Sequence, residues 1–390
     1  MKKTLLATAI AGVLGTLATG AQAATVYNQD GSKLDVYGNV QLAFRSIEGY
    51  DDSDDTSDHG TDSYSDLFDN GSTIGFRGEH IINPGLTGYF RAEFEFNADQ
   101  QKGYYAAYDN PDDQSFTESG LSRGDQAYLG LTGNFGDLRI GSWDSLFDDW
   151  IADPISNNEY FDNTDAQSDV GGTAYESDKI TYTSPIFSGL QFVVGTQYKG
   201  DGEDYNQYDY DAATGAGEFV LDDDNSASFF GGVRYTMAGW TLAAVYDDLN
   251  NFEYISAAGN EHDFGKLYGA NLSYQWDTLR VAAKWGHQDA KWSDDADVDR
   301  YGLGARWGYG NGDLYGSYQY VDAEGDAAAL IDPRRFNDDN GNTSDQHYNE
   351  FILGATYNLS SQMYVFLEGA KYDRKDNIGD GVSTGMVYSF

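Results

Sequence analysis

Between positions 144 and 172 the chain places carboxylates at Asp144, Asp148, Asp149, Asp153, Glu159, Asp162, Asp165 and Asp169, with no Lys or Arg among them. Carboxylates at this density suit a disordered insert of solvated charge, a catalytic loop, or a part placed where it sets a local field. The same stretch holds Leu146, Phe147, Trp150 and Ile151 at helical spacing. Candidate caps stand before them at Asp144 or Ser145, and Pro154 follows them. The pattern predicts a short amphipathic turn that pins its apolar face to a wall and presents Asp148, Asp149 and Asp153 elsewhere.

Catalysis and tight metal binding find little support in the residue types. The chain has no Cys, which excludes thiolate nucleophiles and Zn–thiolate sites and leaves the fold without disulfides. Its histidines (His59, His80, His262, His287 and His347) stand in neither an H-E-x-x-H nor a G-x-S-x-G context. An enzyme is therefore not expected. A calcium loop of the EF-hand type needs acids at its first, third and fifth positions, Gly at the sixth and Glu at the twelfth. Setting Gly341 at the sixth position puts Phe336 first and His347 twelfth. Setting Gly60 there gives Asp55, Ser57, His59 and Asp66, also a poor match. No cofactor is expected; weak Ca²⁺ or Mg²⁺ binding by the acidic loops fits the charge. The formal net charge of −41 lacks the basic footprint that nucleic acid requires.

The elements that must position these acids are strands. Residues 1–23 read as a processing signal: Lys2 and Lys3, an apolar run from Leu5 to Leu17, and Ala21-Gln22-Ala23 as the cleavage pattern. The remainder, 24–390, is expected to form one domain outside the cytoplasm. It contains no apolar run near the length of a transmembrane helix. Its mean hydropathy of −0.57 is polar, as membrane β-barrels are, because alternation hides their apolar half. The alternation is explicit. Trp240, Leu242, Ala244 and Tyr246 share one face, as do Tyr268, Ala270, Leu272, Tyr274 and Trp276, with polar or small residues between. Such runs number sixteen: 33–47, 72–82, 86–98, 123–133, 136–143, 179–186, 189–199, 227–237, 240–249, 264–276, 279–290, 298–310, 313–322, 347–359, 362–373 and 381–390. Their length, near ten residues, suits a tilted strand crossing a bilayer.

The connections alternate too. Seven are tight: 83–85, 134–135, 187–188, 238–239, 277–278, 311–312 and 360–361. Those between are mostly long and acidic; 48–71 and 200–226 contain no Lys or Arg. Short turns at one end, long loops at the other and an even strand number describe a closed membrane barrel. Trp240, Trp276, Trp285 and Trp307 fit its interfacial girdles.

The stretches "LDVYGNVQL" at 34–42, "GFRGE" at 75–79, "GLTGYFRAEFEF" at 85–96, "GLQFVVGTQY" at 189–198 and the ending "GMVYSF" resemble the general, trimeric, sixteen-stranded porins of Gram-negative outer membranes. The resemblance implies an all-β, sixteen-stranded antiparallel transmembrane barrel with short periplasmic turns and long extracellular loops. It implies a cell outer membrane location, lipopolysaccharide contact, a homotrimer latched by the second long loop (98–122), and passive diffusion of ions and small hydrophilic solutes. It also implies that the third long loop, 144–178, folds into the pore. Asp148, Asp149, Asp153 and Glu159 then become constriction acids, and the inward bases of the early strands, Arg45, Arg77 and Arg91, become the facing wall. Arg77 and Arg91 are also placed to pair with inward acids such as Glu79, Glu93 and Glu95. The chain departs from the family in having Asn39 where a Lys often follows Tyr-Gly, Asp153-Pro154-Ile155 in place of the family's loop turn, and Thr73, Asp125 and Asp169 at wall positions that are basic in relatives. These departures predict a more acidic constriction and a preference for cations. A substrate-specific channel, or a barrel that serves mainly as an adhesin or surface-interaction protein, remains the alternative.

Overall fold

A computed structural model describes residues 23–48, 63–99, 123–155, 158–161, 177–199, 218–221, 226–249, 252–255, 261–291, 297–324, 346–374, 377 and 379–390. The cleavage segment before Ala23 and most of the second loop lie outside these residues, as do Asp162, Asp165 and Asp169.

Sixteen strands form the wall: β1 Ser32–Glu48, β2 Thr73–Asn83, β3 Leu86–Glu95, β4 Arg123–Gly133, β5 Gly136–Ser142, β6 Lys179–Thr183, β7 Leu190–Lys199, β8 Ser226–Met237, β9 Trp240–Asp248, β10 Glu261–Trp276, β11 Leu279–Lys291, β12 Asp297–Gly308, β13 Asp313–Ala323, β14 Gln346–Asn358, β15 Met363–Tyr372 and β16 Gly381–Ser389. Each pairs antiparallel with the next, and β16 pairs with β1 from Asn39↔Ser389 to Ile47↔Gly381, which closes the barrel. Gly38 and Phe390 exchange backbone hydrogen bonds in both directions at 3.0 Å. Closure leaves no wall strand with an unpaired edge, the condition for a sheet in lipid.

Four short strands add to what the alternation predicts. Ala24–Gln29 pairs with β1 beyond the point where β16 ends, so it covers the remaining edge. Ser63–Asp69 pairs with the other half of β1, within a stretch that reads as acidic loop. Glu218–Leu221 and Phe252–Ile255 pair with each other past the loop end of the wall. Backbone pairing decides these segments where composition argues for loop.

Two of the tight turns share one backbone solution. Ala238 (φ 51°) and Gly239 (φ 87°) are both left-handed, as are Ser188 (φ 52°) and Gly189 (φ 95°). Two consecutive left-handed residues match the twist of a hairpin. The second turn therefore sits at 188–189, one residue later than the sequence pattern suggests, because only Gly189 accepts the second position freely.

Alternation sorts the two faces. On β9, Leu242 is 54% exposed and its neighbour Ala243 is 1% exposed. Trp240, Trp276, Trp285 and Trp307 all lie on the outer, exposed face. An outer surface this apolar is stable only against lipid. Among the described residues no helix is long and apolar enough to cross a membrane; the crossing elements are strands.

Candidate functional site

The third loop leaves β5 at Trp143 and begins with a short helical turn. Ser145 is its cap: the Asp148 backbone N–H donates to Ser145 Oγ at 3.0 Å, and the Ser145 hydroxyl donates to Asp148 Oδ2 at 2.7 Å. This reciprocal pair satisfies an N–H group that the first turn would otherwise leave orphaned. The turn widens to a π-helix over Asp148–Ala152, with the Asp153 N–H donating to the Asp148 carbonyl at 2.9 Å. Pro154, with no N–H to donate, stands where the turn ends.

Its apolar face is buried on the inner wall. Leu146, Phe147, Trp150 and Ile151 form one cluster with Val193 of β7, Phe230 of β8, Ala243 and Val245 of β9 and Leu267 of β10. Asn271 of β10 donates to the Ile151 carbonyl at 3.1 Å. Inward glycines make the slot. A Cβ on Gly269 would meet Phe147 at 2.5 Å, and one on Gly304 of β12 would collide with the Ile155 carbonyl oxygen.

The loop then reaches the far wall. Glu368 of β15 accepts backbone N–H groups from Glu159 (2.8 Å), Tyr160 (3.1 Å) and Phe161 (2.5 Å), and the Tyr315 hydroxyl at 2.5 Å. Phe161 packs on Ile352, Ala370 and Tyr372. Asn70 donates to the Glu159 carbonyl at 2.8 Å, and Arg45 Nη1 donates to the Tyr160 hydroxyl at 2.9 Å. Segments 145–155 and 158–161 thus follow the inner wall from β8 round to β1, and the strands from β1 to β6 face them.

The carboxylates expected to line the passage differ in their surroundings. Asp148 is engaged by its cap. Asp149 is half-buried. Burial pushes its carboxyl up to about 6, the charge of Asp144 adds to the rise, and Arg139, Lys179 and Arg234 oppose it. Asp144 accepts Gln126 Nε2 at 2.6 Å and is also shifted upward by burial. Asp153 is half-buried near Arg280. Glu159 sits 3.4 Å from Arg306 and accepts the Tyr364 hydroxyl at 2.8 Å. Its carboxyl is raised by burial, with Tyr364 and Arg306 in opposition.

The early bases are paired. Arg45 binds Tyr160 and Tyr64 and lies 4.4 Å over the Phe68 ring, so it touches the loop itself. Arg77 Nε is 3.1 Å from Asp35, rather than beside Glu79. Arg91 lies 2.6 Å from Glu93, as its inward phase suggests. Asn39 donates to Thr73 Oγ1 at 3.1 Å, so two departures from the family pattern bond to each other. Arg139, Lys179, Arg234, Arg280, Arg306 and Glu368 were missed by sequence reasoning. Alternation marks each wall residue as inward, but nothing local states which of them the loop meets. The glycines at 232, 269, 286 and 304, all inward and crowded by Phe147, Trp150 or Ile155, were the available signal for the slot.

Comparison with known proteins agrees with this architecture. A family model described as Gram-negative porin matches residues 7–377. A protein of a Halomonas species named monosaccharide porin is 48% identical over 403 residues, covering 100% of both chains. The major outer membrane protein of Halomonas elongata matches with the same identity and coverage. The solved structure of Salmonella typhi OmpF in complex with daunomycin superposes with a TM-score of 0.63 at 19% identity, over 94% of this chain and 100% of that one, a likeness of fold. A closed sixteen-stranded barrel with a lipid-facing exterior, matched by the family model along nearly its whole length, belongs to the Gram-negative porins, the channel proteins of the outer membrane.

Proposed function

We propose that the protein is a non-enzymatic, water-filled diffusion channel for ions and small hydrophilic solutes, monosaccharides included, with a preference for cations. The observation that carries the reading is the double attachment of the third loop, by its apolar face to β8–β10 and by its backbone to Glu368. A loop so held narrows the passage, with its described segments 145–155 and 158–161 on the wall that faces β1–β6. Cation preference rests on charge. The chain carries −41, Arg77 and Arg91 lie beside carboxylates, and Asp149 and Asp153 stand on the loop. Low-dielectric walls focus the field of such carboxylates and enrich cations. The name of the 48% identical Halomonas protein supports monosaccharides as solutes. Export by the 1–23 signal, assembly as a homotrimer, contact with lipopolysaccharide and loose divalent binding by outer acids complete the proposal. The test is single-channel recording on purified protein in a planar bilayer. Open steps in salt alone, without any added ligand, are expected. A barrel that stays closed would favour the adhesin reading.

A further inference from the structure

The wall that faces loop segments 145–155 and 158–161 carries a ladder of rings and ion pairs. Tyr37 of β1, Tyr89 of β3 and Tyr128 of β4 are all half-buried. Arg91 Nε donates to the Tyr37 hydroxyl at 2.6 Å, and its guanidinium lies 5.4 Å from that ring centre. The Tyr89 hydroxyl bonds to Asp137 at 2.7 Å and accepts Arg139 Nε at 3.4 Å. The Tyr89 and Tyr128 rings are 6.2 Å apart, and Arg139 lies 4.4 Å over Tyr128.

Three guanidiniums on this wall lie beside carboxylates: Arg77 is 3.1 Å from Asp35, which Lys33 also holds at 2.7 Å, Arg91 is 2.6 Å from Glu93, and Arg139 is 4.0 Å from Asp137. Paired charges nearly cancel at a distance, so this wall cannot attract an anion as a row of free bases would. What it offers at close range is donors and acceptors side by side with aromatic rings. That combination suits a neutral solute whose surface alternates C–H faces with hydroxyl groups. Spacings of 4.4–6.2 Å between successive groups are of the breadth of one sugar ring. The ladder begins at Asp35 and Asp137, which stand near the short-turn end of their strands, and rises toward Trp143 at the root of the third loop.

We infer that Tyr37, Tyr89 and Tyr128, with Arg91 and Arg139, form a weak binding track for neutral monosaccharides along the wall that faces loop segments 145–155 and 158–161. The track deepens the channel reading and rests on it. A sugar moving along it exchanges one ring and one ion pair for the next, so no single site holds it long, as conduction requires.

The test is many-channel current in a planar bilayer, titrated with D-glucose and, separately, with a polyethylene glycol of matched size. Glucose should reduce the current saturably and beyond the polymer. Tyr128→Ala should raise the half-saturating glucose concentration roughly five-fold, the scale of one lost ring contact, while conductance in salt alone persists. Tyr128→Phe, which keeps the ring, should retain most of the block. Equal effects of glucose and polymer, or an unchanged half-saturation in Tyr128→Ala, would overturn the track and leave the channel intact. No ion current at all in the unaltered protein would overturn the channel reading and the track with it.

Discussion

Glu368 accepts the backbone N–H of Phe161 at 2.5 Å across 207 positions of sequence. It takes the N–H groups of Glu159 and Tyr160 as well, so one wall carboxylate fixes three consecutive residues of the third loop. A carboxylate can do this because both its oxygens accept, and hydrogen bonds to a charged acceptor contribute roughly 1.5–3 kcal/mol each.

Replacing that acceptor should free the loop while leaving the barrel closed. In Glu368→Ala, single-channel current noise should increase and the diffusion of a trisaccharide in liposome swelling should rise. Glu368→Gln, which keeps one acceptor oxygen, should fall between the two. Unchanged noise and unchanged trisaccharide entry in Glu368→Ala would rule out the anchor.

The other end of the loop is held by fit. Gly269 lies under Phe147 and Ile151, where a Cβ would meet ring carbon at 2.5 Å. Gly269→Val should overfill this slot, at about 1–3 kcal/mol of strain, and lift the helical turn from its wall. The expected result is a larger or unstable conductance with the barrel's resistance to detergent unfolding retained. Loss of the folded barrel itself would show that Gly269 serves the wall and not the loop.

Acidity provides a separate handle on the loop. Asp149 has its carboxyl raised to about 6 by burial and by Asp144, so it is charged above that pH and neutral below it. Because the raised value favours the protonated form in the folded loop, docking of this carboxylate is easiest at low pH and weakens as pH rises through about 6. Cation preference should run the opposite way, falling as pH drops through the same value. Reversal potentials from pH 7.5 to 4.5 should show that midpoint, and Asp149→Asn should remove it. A midpoint near 4 in both proteins would assign the titration to ordinary exposed acids.

Much of this was readable from residues alone, and the reasons are local. Period-two alternation fixes which face of each strand meets lipid, so all sixteen wall strands, the outward tryptophans and the inward phase of Arg45, Arg77 and Arg91 follow from neighbours in sequence. The turn at 146–151 follows from helical spacing and from Pro154. The choice of Ser145 over Asp144 as cap does not, since both types cap well. Nor do the partners that the loop finds on the wall. Arg306 meets Glu159, and Glu368 meets Phe161, only because the barrel has a particular stagger and the loop a particular path. Neither quantity is written in any short stretch. Arg77 illustrates the limit on a single wall: its phase is right, but its partner is Asp35 on the neighbouring strand, not Glu79 on its own.

The most direct test of the whole account is the reversal potential of the purified channel in a tenfold KCl gradient at neutral pH. A cation-preferring pore gives a potential of the sign set by potassium passing faster than chloride, reduced in magnitude when Asp149 and Asp153 are both changed to Asn. A potential of zero or of the opposite sign in the unaltered protein, or one that the double substitution leaves untouched, would contradict it.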